Sequence, residues 1–146
     1  MGATDPIGIE VNDRHGMSLP PRFIERVVCA ARDRVRRRDL AVSLLLTGDE
    51  EIAGLHDRFM GDPSATDVIS FPMDDGVDLA VNVERAERVA DRCGHAVEAE
   101  LALYIIHGIL HVCGYDDIAL EDRERMRAAE REVLATLGLH VSPVDE

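Results

Sequence analysis

The stretch that most constrains this chain is Leu101–Asp117, LALYIIHGILHVCGYDD. From Leu101 to Cys113 it is apolar on nearly every face. That pattern predicts a helix buried inside the domain rather than one lying on its surface. Ala96 to Glu100, just ahead, supplies mostly good helix formers and no proline, so the helix can start there. His107 and His111 stand at i and i+4, which places both imidazoles on the same face of the helix. Gly114 predicts the stop, because a glycine takes the turn after a helix at little steric cost. Tyr115, Asp116 and Asp117 then turn the chain back. A carboxylate at 117 can return to the face that carries the two histidines.

These residue types suit a divalent transition metal such as zinc, which takes neutral imidazole nitrogens and carboxylate oxygens at about 2.0–2.2 Å. His107, His111 and Asp117 would supply three ligands and leave a fourth position open. That is the arrangement of a catalytic zinc site rather than a closed structural one. The competing reading makes both histidines core residues bonded to backbone carbonyls. The glycine and the acid that follow the pair favour the metal. The spacing His-x-x-x-His-x-x-Gly-x-x-Asp also resembles the extended zinc-peptidase pattern, which places a Glu directly after the first histidine as general base. Here that position is Gly108, so a peptidase of that class is not expected.

A chain of 146 residues has the length for one domain with its own core, and residues 1–146 read as a single domain. Aromatic residues make up only 3 %, so that core must be aliphatic. Cys29, Cys93 and Cys113 show no metal-type spacing. Cys29 and Cys113 sit in apolar helical context and read as small buried hydrophobes, which suits a reducing cytoplasm. No basic segment followed by an apolar one opens the chain, and no apolar run reaches the roughly 18–20 residues of a membrane span. The expectation is a cytoplasmic protein with no membrane partner. A formal net charge of −13 argues against broad, nonspecific nucleic-acid binding, and no DNA partner is expected. Charge placement qualifies this, because Arg32, Arg34, Arg36, Arg37 and Arg38 form a local basic cluster.

Taken in order, Ile7 to Asn12 predicts a half-buried strand. Ser18 is the expected cap of a helix running to about Arg37, with Pro20 and Pro21 near its first turn and Ile24, Val27, Val28, Ala31 and Val35 inward. The arginines at its end complement the helix dipole, or contact an RNA backbone through Arg36, Arg37 and Arg38. Leu40 to Leu46 is a strand whose near-continuous apolar run predicts cover on both faces. A short helix, Glu50 to Phe59, follows, with His56 expected on the surface. Val68 to Phe71 and Val77 to Val83 predict a hairpin around the turn Asp74-Asp75-Gly76. Glu84 to Arg92 is an amphipathic helix. The last helix runs from about Leu120 to Leu137, with Met126, Ala129, Val133, Leu134 and Leu137 inward, and a loose tail follows from Val141. The order predicts an α+β (mixed α/β) domain, a roughly four-stranded sheet packed with about five helices around the buried central one.

His107-Gly-Ile-Leu-His111-Val-Cys-Gly114-Tyr-Asp116, together with Thr66-Asp-Val-Ile-Ser-Phe-Pro72 upstream, resembles the signature of the YbeY family of zinc-dependent endoribonucleases, also called rRNA maturation factors. The resemblance covers most of the chain, from about Gly8 to Leu139, and implies the same fold class. It implies one Zn²⁺ per chain, and single-strand-specific RNA cleavage in rRNA processing. It also implies action in late small-subunit maturation and ribosome quality control, with rRNA and the small subunit as partners. The family places the Thr66–Pro72 motif near the metal cleft. Thr66, Asp67 and Ser70 are therefore candidates for substrate contact, beside the simpler reading that they shape the strand and hairpin. Two positions depart from the family. Its usual third ligand is a histidine directly after Tyr-Asp, and here Asp117 stands there. Many members carry an arginine where this chain has Met60. No side chain is a secure general base; Asp116 is the candidate, and Tyr-Asp after a helix stop is as readily a turn acid. Two other readings stay open: a non-catalytic ribosome-assembly or RNA-binding factor with a structural or weakened metal site, and a different zinc metallohydrolase.

Overall fold

The computed structural model describes residues 8–142. Ile7 of the first predicted strand and residues 143–146 of the tail lie outside them. The chain runs β1 (Ile9–Asp13), α1 (Phe23–Val35), β2 (Ala41–Thr47), α2 (Asp49–Met60), β3 (Val68–Pro72), β4 (Gly76–Asn82), α3 (Val83–Cys93), α4 (Val97–Val112) and α5 (Leu120–Thr136). This is the expected α+β architecture of a four-stranded mixed sheet and five helices.

The sheet order is β1-β2-β4-β3. β1, β2 and β4 run parallel, so helical crossovers must join them. β3 runs antiparallel to β4, pairing Val68 with Val81 and Pro72 with Val77, which is the hairpin read from the Asp-Asp-Gly turn. Side chains alternate across each strand, and the two faces are covered unequally. Val42, Leu44 and Leu46 of β2 and Val77, Leu79 and Val81 of β4 join the main core with α1, α3, α4 and α5. On the opposite face, Ile52 of α2 meets Ile69 and Ala80 in a much smaller cluster, with Leu45, Leu55 and Phe71 only partly covered. The prediction that both faces of β2 are buried is therefore half right. Its apolar run reflects one full core face and one face that a single short helix shelters.

α4 packs against α1, α3, α5, β3 and β4. Leu101, Ala102, Ile105, Ile106, Ile109 and Leu110 are each 0 % exposed. An all-round apolar helix requires neighbours on every side, and this one has them. Burying such side chains contributes about 1.5–3 kcal/mol each relative to exposure. Gly114, at φ 104, ends the helix. The Tyr115 N–H reaches back to the Leu110 carbonyl at 3.0 Å, closing the turn.

Three local expectations are corrected. Ser18 does not cap α1; that helix starts at Phe23 behind Arg22, whose φ is 61°, so Pro20 and Pro21 lead in rather than form the first turn. Proline's fixed φ fits the first turn, but here the chain makes a left-handed step after both prolines. Cys29 and Cys113 are partly exposed rather than buried. His56 is not a free surface residue: its side chain is 16 % exposed, and Nδ1 lies 2.9 Å from the Ser64 carbonyl, tying α2 to the loop before β3.

Candidate metal centre

The centre is built at the C-terminal end of α4. That helix is clamped on all sides, so the positions it presents are fixed. His107 is half-buried and His111 exposed. Their rings are nearly parallel (3°), with centroids 6.5 Å apart, as expected for i, i+4 side chains on one face. Between them in sequence, Gly108 turns toward the sheet. A Cβ there would come within 2.6 Å of Leu79 Cδ2 and 3.0 Å of Ser70 Oγ. The position where zinc peptidases carry a glutamate is pressed against side chains of β3 and β4, so a methyl group there would force Leu79 to shift.

The turn after α4 does bring Asp117 back. Its Oδ2 lies 3.8 Å from His107 Nε2. Two ligands of one tetrahedral zinc stand about 3.4 Å apart, given bond lengths of about 2.0–2.2 Å, so this pair is within a few tenths of an ångström of a shared ion. Among the described residues, however, no three His, Cys, Asp or Glu side chains converge as a metal-holding group. His111 stands exposed beside the pair.

Asp116 points elsewhere. Its Oδ1 accepts the Ile118 N–H at 2.9 Å, the bond of a turn acid. It lines a cavity of about 150 Å³ with Cys113, Gly114, Tyr115, Asp122 and Arg125, which includes neither His107 nor Asp117.

The structure adds a residue that the sequence reading passed over. Glu130 of α5 lies with Oε2 2.7 Å from His107 Nδ1, and its side chain is only 7 % exposed. The sequence reading puts only the apolar Met126, Ala129, Val133, Leu134 and Leu137 on the inward face of α5. Glu130 instead belongs to the buried stripe of Met126, Ala129, Val133 and Leu134. The signal was available: a carboxylate one step from Ala129 and three before Val133 falls on the inward face. The electrostatics of the ring follow from these neighbours. Burial works against a charged His107. The hydrogen bond and charge of Glu130, with the charges of Asp67 and Asp117, outweigh it and raise the ring's pKa above the usual histidine value. Acids that favour a second proton at this ring also favour a metal cation there, and the two imidazoles with one carboxylate are an ordinary zinc donor set. The residues therefore fit the ion.

The Thr66–Pro72 segment is drawn to the same place. Ser70 Oγ donates to the Gly108 carbonyl at 3.3 Å, and Asp67 acts electrostatically on His107. Asp67 Oδ1 also accepts the Val68 N–H at 2.7 Å, and Thr66 Oγ1 lies 3.3 Å from it. Asp67 thus shapes the start of β3 and also acts on His107, while Ser70 meets the backbone of α4.

The basic cluster divides. Arg32 is buried and donates to the Leu40 carbonyl at 2.8 Å, so it is structural. Arg34 pairs with Glu132 at 2.8 Å and lies 5.9 Å over the Tyr115 ring, joining α1 to α5 and to the turn beyond α4. Arg38 pairs with Asp33 at 2.8 Å and Arg37 with Asp39 at 3.6 Å, both near solvent. Arg36 caps α1 in a left-handed conformation. Met60, where many family members have arginine, is 54 % exposed. The neighbouring Arg58 lies 6.0 Å over the ring of Phe59.

Fold and site together describe an α+β protein that carries a histidine pair and a returning carboxylate at the end of its central helix. Known proteins resemble the chain in sequence and share its fold. Residues 17–138 match the family profile described as Endoribonuclease YbeY. An Endoribonuclease YbeY of Heliobacterium modesticaldum is 33 % identical, the match covering 88 % of this chain and 94 % of that one. The Thermobifida fusca protein of the same name is also 33 % identical, over 88 % and 93 %. A Thermotoga maritima protein solved in solution superposes with a TM-score of 0.63 at 26 % identity, over 89 % of this chain and 91 % of that one. The chain belongs to the YbeY endoribonuclease family.

Proposed function

We propose that this chain is an endoribonuclease that cleaves single-stranded RNA with one zinc ion held by His107, His111 and Asp117. Its substrate in this reading is rRNA precursor, processed in the cytoplasm during late maturation and quality control of the small ribosomal subunit. The observation that carries the reading is the approach of His107 Nε2 to Asp117 Oδ2 (3.8 Å) beside His111, in a chain of this family. Zinc, when bound, would supply a Lewis acid that counters charge building on a phosphoryl oxygen.

The chain's own residues do the rest. The buried α4 holds the two imidazoles at fixed spacing. The Ser70–Gly108 bond keeps Thr66, Asp67 and Ser70 at the rim, where they contact substrate. Arg36, Arg37 and Arg38 meet the RNA backbone. Arg37 and Arg38 would exchange exposed aspartates for phosphates at little cost, since such surface pairs are worth about 0–1 kcal/mol. Asp116, the candidate general base of the sequence, is turned to the Ile118 N–H and lines a cavity apart from His107 and Asp117, so no general base is assigned here.

Cleavage of purified rRNA precursor with and without a chelator tests the reading. Activity should vanish with the metal and return with Zn²⁺; full activity after complete metal removal overturns it. One observation favours a second reading, a non-catalytic assembly factor: an exposed Met60 offers no cation where many relatives have an arginine. Metal-independent ribosome binding with no RNA turnover would support that alternative. Turnover of generic ester or peptide substrates, without RNA cleavage, would instead point to another metallohydrolase.

A further inference from the structure

The two ring nitrogens of His107 face two different acids, and only one of those acids can be a ligand. We propose that Glu130 is a positioning residue for the metal centre: from α5 it fixes the tautomer and the angle of the His107 ring, so that Nε2 is the nitrogen presented beside Asp117. The proposal rests on the reading of His107 as a metal ligand.

An ionised carboxylate can only accept a hydrogen bond. With Glu130 Oε2 at 2.7 Å, Nδ1 must therefore carry the hydrogen, and the lone pair of the neutral ring falls on Nε2. Nε2 is the nitrogen 3.8 Å from Asp117 Oδ2. The setting of Glu130 argues that the contact is selective. Met126 and Ala129 are 1 % exposed, and Val133 and Leu134 2 %. A carboxylate in such a stripe costs desolvation that an aliphatic residue would not. Packing alone therefore gives no reason for an acid at this position; holding an imidazole N–H does. The chain path adds a mechanical link. α5 begins at Leu120, directly after the turn that carries Asp117, so the segment that delivers the carboxylate ligand continues into the helix that grips the ring from behind. Metal-binding histidines commonly donate their second N–H to a carboxylate, and losing that partner typically weakens metal binding about 10–100-fold.

The test uses the full chain, wild type and the E130Q, E130A and E130L variants. Zn²⁺ affinity is measured by competition with a chromophoric chelator. The His107 tautomer is read from ¹⁵N-labelled histidine by NMR, in alkaline solution where the ring is neutral. Wild type should hold its hydrogen on Nδ1. E130A and E130L should show mixed tautomers and bind Zn²⁺ about 10–100-fold more weakly. E130Q, whose carbonyl oxygen can still accept from Nδ1, should recover most of both. If E130A fails to fold, E130L, with its similar volume, carries the test. Wild-type Zn²⁺ affinity in a folded E130L or E130A, alongside a loss in H107A, overturns the role of Glu130. Wild-type affinity in H107A overturns the ligand reading itself, so the two failures are distinguishable.

Discussion

α4 has a histidine–glutamate pair at each end, and the two pairs differ in what happens at the second ring nitrogen. At the start, His95 Nε2 lies 2.6 Å from Glu100 Oε1, with side chains 3 % and 5 % exposed. Its Nδ1 accepts the Ser142 N–H at 2.9 Å. Both nitrogens are spent on the protein. Glu100 also acts on Tyr104, whose phenol is pushed well up, first by burial and then by that carboxylate's charge and hydrogen bond. At the other end His107 spends Nδ1 on Glu130 and leaves Nε2 facing an acid across 3.8 Å, with its side chain 31 % exposed. The same pair of residue types closes a tail in one place and opens a site in the other. A histidine–glutamate contact is therefore no sign of function by itself. The deciding feature is whether the remaining nitrogen is already satisfied.

The largest effect should come from the closed pair. His95→Ala takes one hydrogen-bond partner from the buried Glu100 and leaves it only Tyr104, and losing a hydrogen bond to a charged group costs about 1.5–3 kcal/mol. Urea denaturation should register that loss while Zn²⁺ affinity stays at the wild-type level. Lost zinc binding in a folded H95A protein would erase the distinction between the two ends.

The open pair should behave in the opposite sense. His107→Ala should weaken Zn²⁺ binding by at least the roughly 10–100-fold typical of losing an outer-sphere partner, because here a direct ligand goes. Its cost in stability should be below that of His95→Ala, since water can enter beside Glu130. Chelator competition and denaturation of the same two variants give the contrast directly.

Gly108→Ala probes the wall behind the open pair. The added methyl meets Leu79 and Ser70, and overpacking of this kind costs about 1–3 kcal/mol. Thermal unfolding should show it, with the Ser70–Gly108 contact disturbed.

Asp117 and Asp116 sharpen which acid completes the centre. Asp117→Ala should cut Zn²⁺ affinity and Asp117→His should retain the metal, whereas Asp116→Ala should leave metal content unchanged. Loss in Asp116→Ala alone would reassign the third ligand. The smallest change in stability is expected from replacing Arg36, Arg37 and Arg38 with Gln. Exposed substitutions of this sort usually stay within about 0.5 kcal/mol, but RNA binding should weaken and its dependence on salt should flatten. An unchanged salt slope would leave those arginines as a solvated helix end.

Much of the frame was readable in the residues. The central helix, the four strands, the hairpin and the i, i+4 histidines all follow from local periodicity and turn chemistry. What failed to show was each feature set by a distant neighbour. Ser18 looked like a cap because the left-handed step at Arg22 leaves no local trace. His56 reads as a surface residue because its partner, the Ser64 carbonyl, comes from the following loop. Glu130 looked like one more charge on a mixed helix, although its place in the apolar stripe was a clue.

The sequence by itself determined that a helix apolar on all sides must be buried, that its two histidines must share a face, and that the chain must turn immediately after Gly114. Short-range geometry forces those results, because helical periodicity and glycine's backbone freedom act over a few residues. Only the tertiary structure decided which histidine is closed and which is open. That choice depends on the Ser142 N–H meeting a ring 47 residues away and on Glu130 reaching one 23 residues away. No local period encodes such distances; they are fixed when α5 and the C-terminal segment pack against the two ends of α4.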